Sequence, residues 1–198
     1  MIWNLIIIYF LLSPWDISNS SDTTLQFDII LHNKVIGNLK SSQTTKDDTI
    51  YYRSETHINT RVIKDIQVNY TFDVAFKNSL LKRANVNITI NDKPHAQTNT
   101  KWEHTAYKIV KNDDREKILK DSISYTTIQL FFQEPININS CYSEQDGSFN
   151  TIVPMGNHSY KKINSKGKEN MYYYKHGFLK KATIDGGLIS FEMIAREQ

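Results

Sequence analysis

The sequence predicts a mainly β protein: an antiparallel meander bent into a strongly curved sheet or an incomplete barrel, with one short helix on its concave side. Three observations lead there. Apolar and polar residues alternate with period two through most of the chain after residue 24, and a strand sends successive side chains to opposite faces. Short polar connectors separate the alternating runs at regular intervals, as in a meander or barrel. One segment, Ser122 to Phe132, departs from that period.

The first element is Leu5 to Leu12, an unbroken apolar run followed by Ser13-Pro14. It is too short to cross about 30 Å of hydrocarbon as a helix. It fits the apolar core of a secretory leader, with small residues Ser18 and Ser20 suited to cleavage. No Lys or Arg precedes it, and a buried N-terminal strand is the alternative. On the leader reading, residues 1–20 are a signal peptide and 21–198 a single β-rich domain, periplasmic or extracellular. No later run approaches the length of a spanning helix, so the mature chain is expected not to span a membrane.

The strands come next, in chain order. Thr24 to Leu31 and Val35 to Gln43 form a hairpin around Asn33-Lys34, and Ile50 to Ile58 follows the polar turn at Asp47-Asp48. Ile66 to Phe76 is the clearest: Ile66, Val68, Tyr70, Phe72, Val74 and Phe76 make one dry face. In its partner, Leu80, Ala84, Val86, Ile88 and Ile90 are expected to face the same interior. Gln97 to Trp102 and Ala106 to Val110 flank Glu103-His104. Phe149 to Val153, Tyr160 to Ile163, Met171 to Tyr174, Phe178 to Ile184 and Leu188 to Ala195 complete the set. Two stretches echo each other: Phe76 to Ala84 and Tyr174 to Ala182. Each has an aromatic residue, Lys, two turn residues, an apolar residue, Leu, two bases and Ala. We read one hairpin type used twice.

In Ser122 to Phe132, Tyr125, Ile128, Phe131 and Phe132 fall at helical spacing. Ser122 or Ser124 can cap a helix there, and Gln133-Glu134-Pro135 ends it, because the residue before proline is pushed out of the helical region. The β-branched residues also leave a strand reading open.

This order of elements resembles a family of small exported bacterial proteins of unknown function. The residues that carry the likeness are Ile36-Gly37 in the first return strand, Phe131-Phe132-Gln133-Glu134-Pro135, Asp146-Gly147-Ser148-Phe149 and the Tyr-rich hairpin turning at His176-Gly177. More distantly, it resembles the curved half-barrels of the LolA and LolB lipoprotein carriers. That resemblance implies a concave apolar surface that could hold a lipid or acyl chain.

Composition excludes several classes. One cysteine, Cys141, allows neither an internal disulfide nor a Cys-rich zinc site. With 24 Lys+Arg against 21 Asp+Glu, the chain lacks the basic concentration of a nucleic-acid binder. Its Lys pairs, Lys161-Lys162 among them, read as solvated charge on strand faces and edges. The six His form no metal or catalytic spacing, no phosphate loop or nucleophile elbow occurs, and Asp47-Asp48 and Asp113-Asp114 read as turn acids. Cys141 reads as a semi-buried loop thiol.

No catalytic residue, cofactor or metal is therefore expected. The aromatic residues Tyr70, Phe72, Phe76, Trp102, Tyr125, Phe131 and Phe132 are candidates to line either the core or an apolar ligand cavity, since a curved sheet encloses space wherever side chains do not fill it. The expected function is non-enzymatic: an exported soluble protein that binds an apolar ligand (a lipid or acyl chain) or an envelope protein on its concave face. A structural or interaction module of the cell envelope, without a ligand cavity, is the alternative.

Overall fold

The computed structural model describes residues 21–61, 65–112, 114, 116–186 and 190–197. The apolar run at Leu5 to Leu12, Asp113 and Leu188 lie outside the described residues.

Among the described residues, fourteen strands form one antiparallel sheet. They are β1 (Asp22–Leu31), β2 (Lys34–Lys46), β3 (Thr49–Arg61), β4 (Asp65–Lys77), β5 (Leu80–Ile90), β6 (Lys93–Glu103), β7 (Ala106–Lys111) and β8 (Lys117–Leu119), then β9 (Ser140–Ser143), β10 (Ser148–Gly156), β11 (Ser159–Ile163), β12 (Glu169–Lys175), β13 (Phe178–Asp185) and β14 (Ser190–Ala195). Each strand pairs with its neighbour in sequence, except that β8 and β9 stand at opposite edges and β1 pairs with β14. One short helix, α1 (Gln129–Phe132), lies between β8 and β9. The predicted curved meander with a single short helix is thus the observed architecture. The sheet is not closed, because its edge strands do not pair with each other.

The curvature can be measured by what touches. Laid flat, β6 and β9 would stand about 50 Å apart, eleven steps of about 4.8 Å. Instead, the Thr98 hydroxyl donates to the Gln145 carbonyl at 2.8 Å, just past β9, and Thr100 and Tyr142 share a hydroxyl–hydroxyl bond at 2.8 Å. The last strands therefore tuck inside the curve of the early ones. Gly147 marks the closest approach: its φ is +66°, and a Cβ there would stand 2.8 Å from Ile109 Cγ2. Residues between β8 and α1 fill the seam. Leu81 N–H donates to Ile123 O at 2.9 Å, and Thr126 bridges Tyr142.

The bending comes from the hairpins. Paired turn residues with positive φ occur at His32-Asn33, Asp47-Asp48, Asn78-Ser79, Asn91-Asp92, Asn157-His158 and His176-Gly177. That is the type I′ signature, which Asn, Asp, His and Gly tolerate best. A register shift accompanies the turn in the β1–β2, β4–β5, β5–β6, β10–β11 and β12–β13 pairs, and such bulges increase the local twist. The sequence echo has its explanation here. Phe76 pairs with Leu81 and Lys77 with Leu80, while Tyr174 pairs with Leu179 and Lys175 with Phe178. Each bulge leaves the following Lys, Lys82 or Lys180, as the extra residue.

The same bulge corrects one expectation. Leu81, not Leu80, faces the interior and is fully buried, because the inserted Lys82 shifts the alternation before Ala84, Val86 and Ile88 resume it. The helix is also shorter than predicted. The backbone of Tyr125 to Thr127 bonds Tyr142 on β9, which prevents helical pairing until Gln129. Neither Ser122 nor Ser124 caps it. The Gln129 side chain instead accepts from Thr126 N–H at 2.9 Å. Strands β8 and β9 were not predicted, and Cys141 sits in β9 rather than in a loop.

Two packed clusters share the interior. One gathers Phe27, Ile29, Val68, Ile88, Tyr172 and Met193 with neighbours from the sheet's middle. The other gathers Tyr52, Val74, Phe76, Leu81, Tyr107 and Ile109. Phe72 and Phe131 touch both, so α1 is the joint between them. Among the described residues, no helix is long and apolar enough to cross a membrane.

Candidate functional site

Between the first cluster and one end of the sheet lies a cavity of about 370 Å³, near the lower end of the roughly 300–1,000 Å³ typical of small-molecule sites. Its apolar wall comes from Leu39, Tyr70, Phe72, Phe131, Phe191 and Met193. Strand parity places these together: Tyr70 and Phe72 lie two apart on β4, and Phe191 and Met193 two apart on β14. Helix α1 supplies Phe131, held by the Tyr174 hydroxyl donating to Leu130 O at 2.7 Å and by a ring contact with Phe27 at 6.0 Å.

The mouth is polar. Antiparallel pairing brings the β9–β10, β11–β12 and β13–β14 turns to one end, where Asp146, Asn164, Lys166, Lys168 and Asp185 border the opening with Lys111. Lys168 pairs with Asp185 at 3.1 Å and Lys111 with Asp146 at 3.9 Å. Both pairs are exposed and worth little energetically.

Lys162 is the site's unexpected member. It lies on the cavity wall at only 8 % exposure, facing inward between Tyr160 and Asn164. The expectation that Lys161-Lys162 is solvated strand charge holds for Lys161, which pairs with Glu169 at 2.8 Å. It fails for Lys162. No ion-pair or hydrogen-bond partner meets the Lys162 amine among the described residues. Burial works against the ammonium, but Tyr172, Cys141, Glu144 and Asp146 together raise its pKa above the ordinary lysine value. On the same wall the Ser54 hydroxyl is buried without a partner.

Behind Lys162, Glu144 is fully buried. It accepts from Thr127 N–H at 3.1 Å and Ile128 N–H at 3.0 Å. Burial pushes its pKa above the usual carboxylate range, while the Ile128 N–H and Lys162 pull it back. Cys141 is wholly buried, and burial pushes its thiol up to about 12. A thiol so held is not a nucleophile at neutral pH. We expect the native protein to be alkylated by iodoacetamide at least about a hundredfold more slowly than the urea-unfolded chain, since reaction needs local opening; mass spectrometry of timed samples measures this, and equal rates would contradict the buried position.

The other predicted residues are distributed as follows. Tyr70, Phe72 and Phe131 are on the cavity wall. Phe76 is buried in the second cluster, with Trp102 and Phe132 packed against it, and Tyr125 is buried in the first. His57 bonds Asn69 at 2.8 Å on the exposed face, and His104 and His176 occupy turns. Among the described residues, the histidine on a buried carboxylate is His158, 2.9 Å from Glu134 Oε1, which also accepts from the Tyr160 hydroxyl at 2.8 Å. None of those three lines the cavity. Among the described residues no cluster of His, Cys, Asp or Glu is arranged to hold a metal.

Fold and site together define a class: an open antiparallel meander curled around a partly apolar cavity. Residues 27–196 match the domain of unknown function DUF6134, and the chain belongs to that family. No curated protein matches it. Among solved structures it is similar to the crystal structure of a β-barrel-like protein of the domain of unknown function DUF1849 from Brucella abortus, with a TM-score of 0.50 and 10% identity, over 90% of this chain and 96% of that one. That likeness concerns the fold. The expected kinship with an uncharacterised family holds.

Proposed function

We propose that the protein is an exported, non-enzymatic binder of an apolar ligand, a lipid or acyl chain, held on the concave side of its sheet. The observation that carries this reading is the cavity itself: a well-packed interior leaves few voids larger than a water molecule, yet about 370 Å³ stands open beside Leu39, Phe131 and Met193. The leader read in residues 1–20 supports export. The sequence likeness to the LolA and LolB carriers points the same way, as analogy only.

The test is titration of delipidated protein with a fluorescent fatty acid. Saturable binding at one site is expected. Ser54→Leu, which fills the cavity and removes an unsatisfied hydroxyl, should weaken that binding by about tenfold or more while leaving the melting temperature unchanged or raised. Absence of saturable binding would favour the alternative, an envelope interaction module, which predicts co-purifying protein instead.

A further inference from the structure

Resting on that reading, we propose that the bound molecule is a single-chain amphiphile with a terminal carboxylate, its head paired with Lys162 and its chain lying against Phe72, Phe131 and Met193. The cavity is two-sided in chemistry. Leu39, Phe72, Phe131, Phe191 and Met193 give it aromatic and aliphatic lining, whereas Lys162, Asn164 and Asn170 give it polar lining.

The Lys162 side chain is buried along its stem, while its ammonium, without an ion-pair partner, opens to the cavity; a charge withdrawn from bulk water in this way is ordinarily paired. Glu144, the buried carboxylate beside it, already accepts two backbone N–H groups and stands outside ion-pair distance of Lys162. The acids at the mouth are engaged as well, Asp185 by Lys168 and Asp146 by Lys111. The missing counter-charge is thus one negative charge arriving from outside. Lys166, exposed at the rim, adds positive charge along the path of entry, which favours approach of an anion.

Size limits the rest of the molecule. The open volume of about 370 Å³ is on the order of one acyl chain and well short of two. Within the cavity one ammonium, that of Lys162, stands beside the Asn164 and Asn170 amides, which matches a monoanion; the doubly charged head of a phosphate monoester would also meet the field of Glu144 and Asp146.

The experiment compares hexadecanoate, hexadecanol, hexadecyl phosphate and hexadecyltrimethylammonium by calorimetry on the delipidated wild-type protein. Hexadecanoate should bind at least about tenfold more tightly than hexadecanol, the size of one charge-assisted hydrogen bond, and the trimethylammonium compound more weakly than both. In Lys162→Met the hexadecanoate preference over hexadecanol should disappear while hexadecanol still binds, and Lys162→Arg should restore part of it. Equal binding of hexadecanoate and hexadecanol to wild type, or a preference that survives Lys162→Met, would overturn the proposal and leave the apolar cavity reading standing. Tighter binding of hexadecyl phosphate than of hexadecanoate would overturn the carboxylate assignment. Failure of all four to bind would defeat the underlying reading itself. The wild-type series decides the matter even where a variant does not fold.

Discussion

Replacing Gly37 with Ala is expected to destabilise the protein by about 3 kcal/mol, the upper end for atoms forced into filled space. Gly37 lies on β2 opposite Ile58 of β3, directly after the β1–β2 bulge. A Cβ there would overlap the His57 carbonyl oxygen and stand 2.9 Å from Ile58 Cα and 3.0 Å from the His57 carbonyl carbon. All three are backbone atoms, so no rotamer change relieves the clash. Glycine in a strand often marks such a close approach. To make room, β3 must move away from β2, and Ile58, 1 % exposed in the first cluster, moves with it. For a chain of this size the loss corresponds to a melting temperature lower by about 6–12 °C. Thermal unfolding followed by circular dichroism measures it. A shift of under about 1 °C would mean that β2 and β3 do not meet in this register.

The second large effect is at Glu144. Glu144→Ala removes the acceptor of Ile128 N–H, leaving a buried donor unsatisfied, and takes one of two acceptors from Thr127 N–H, which also reaches Tyr142 O at 3.0 Å. An orphaned buried donor costs about 1–3 kcal/mol, and the emptied space adds to it, so a loss of about 2–4 kcal/mol is expected. Glu144→Gln should cost less, since it keeps an acceptor.

The pair also separates charge from hydrogen bonding. Burial raises the Glu144 pKa in the folded protein, so the folded state holds this proton more tightly than the unfolded chain does. The group's contribution is therefore fully present below the ordinary carboxylate pKa, about 4.3, and is lost as pH rises through its higher folded value. Relative to wild type, Glu144→Gln should gain stability as urea unfolding is moved from about pH 4 to pH 7. The opposite slope would mean that Glu144 is held ionised by an ion pair with Lys162, and would remove the argument that Lys162 lacks a partner.

Much of the sheet was legible because a strand's side-chain period is two wherever one face is buried. Val68, Phe72, Val74 and Phe76 declared the dry face of β4, and Asn, Asp and His pairs declared the turns. The repeated Phe76–Ala84 and Tyr174–Ala182 pattern held more than it disclosed. It encodes a bulge as well as a turn, and a bulge reverses the parity of the residues beyond it, so Leu80 and Leu81 exchange the faces that simple alternation gives them. Strand β9 was not legible, since Ser140 to Ser143 has no alternation: Cys141, Tyr142 and Ser143 are all buried, because this edge is enclosed on both sides by the curl of the sheet.

The cavity was half legible. Its aromatic wall follows from strand period, which marks Tyr70 and Phe72, and from the helical spacing that marks Phe131. Its polar members were not legible. Lys162 stands beside Lys161 in the sequence, and adjacent lysines suggest a wet face. Only parity, with Tyr160 two residues before and Asn164 two after, sends one of the pair inward. Ser54 gave no signal either, for a serine between Arg53 and Glu55 reads as part of a solvated strand. Outside the cavity, Thr98 and Thr100, which hold the curl together, were hidden for another reason: their partners, Gln145 and Tyr142, come from the far end of the sheet.

A crystal structure of the delipidated protein with 16-bromohexadecanoate tests the central claim most directly. An anomalous bromine peak is predicted inside the curve of the sheet, between Phe131 and Met193. A protein that crystallises with that space unoccupied at saturating ligand, or with bromine only on the convex face, would contradict it.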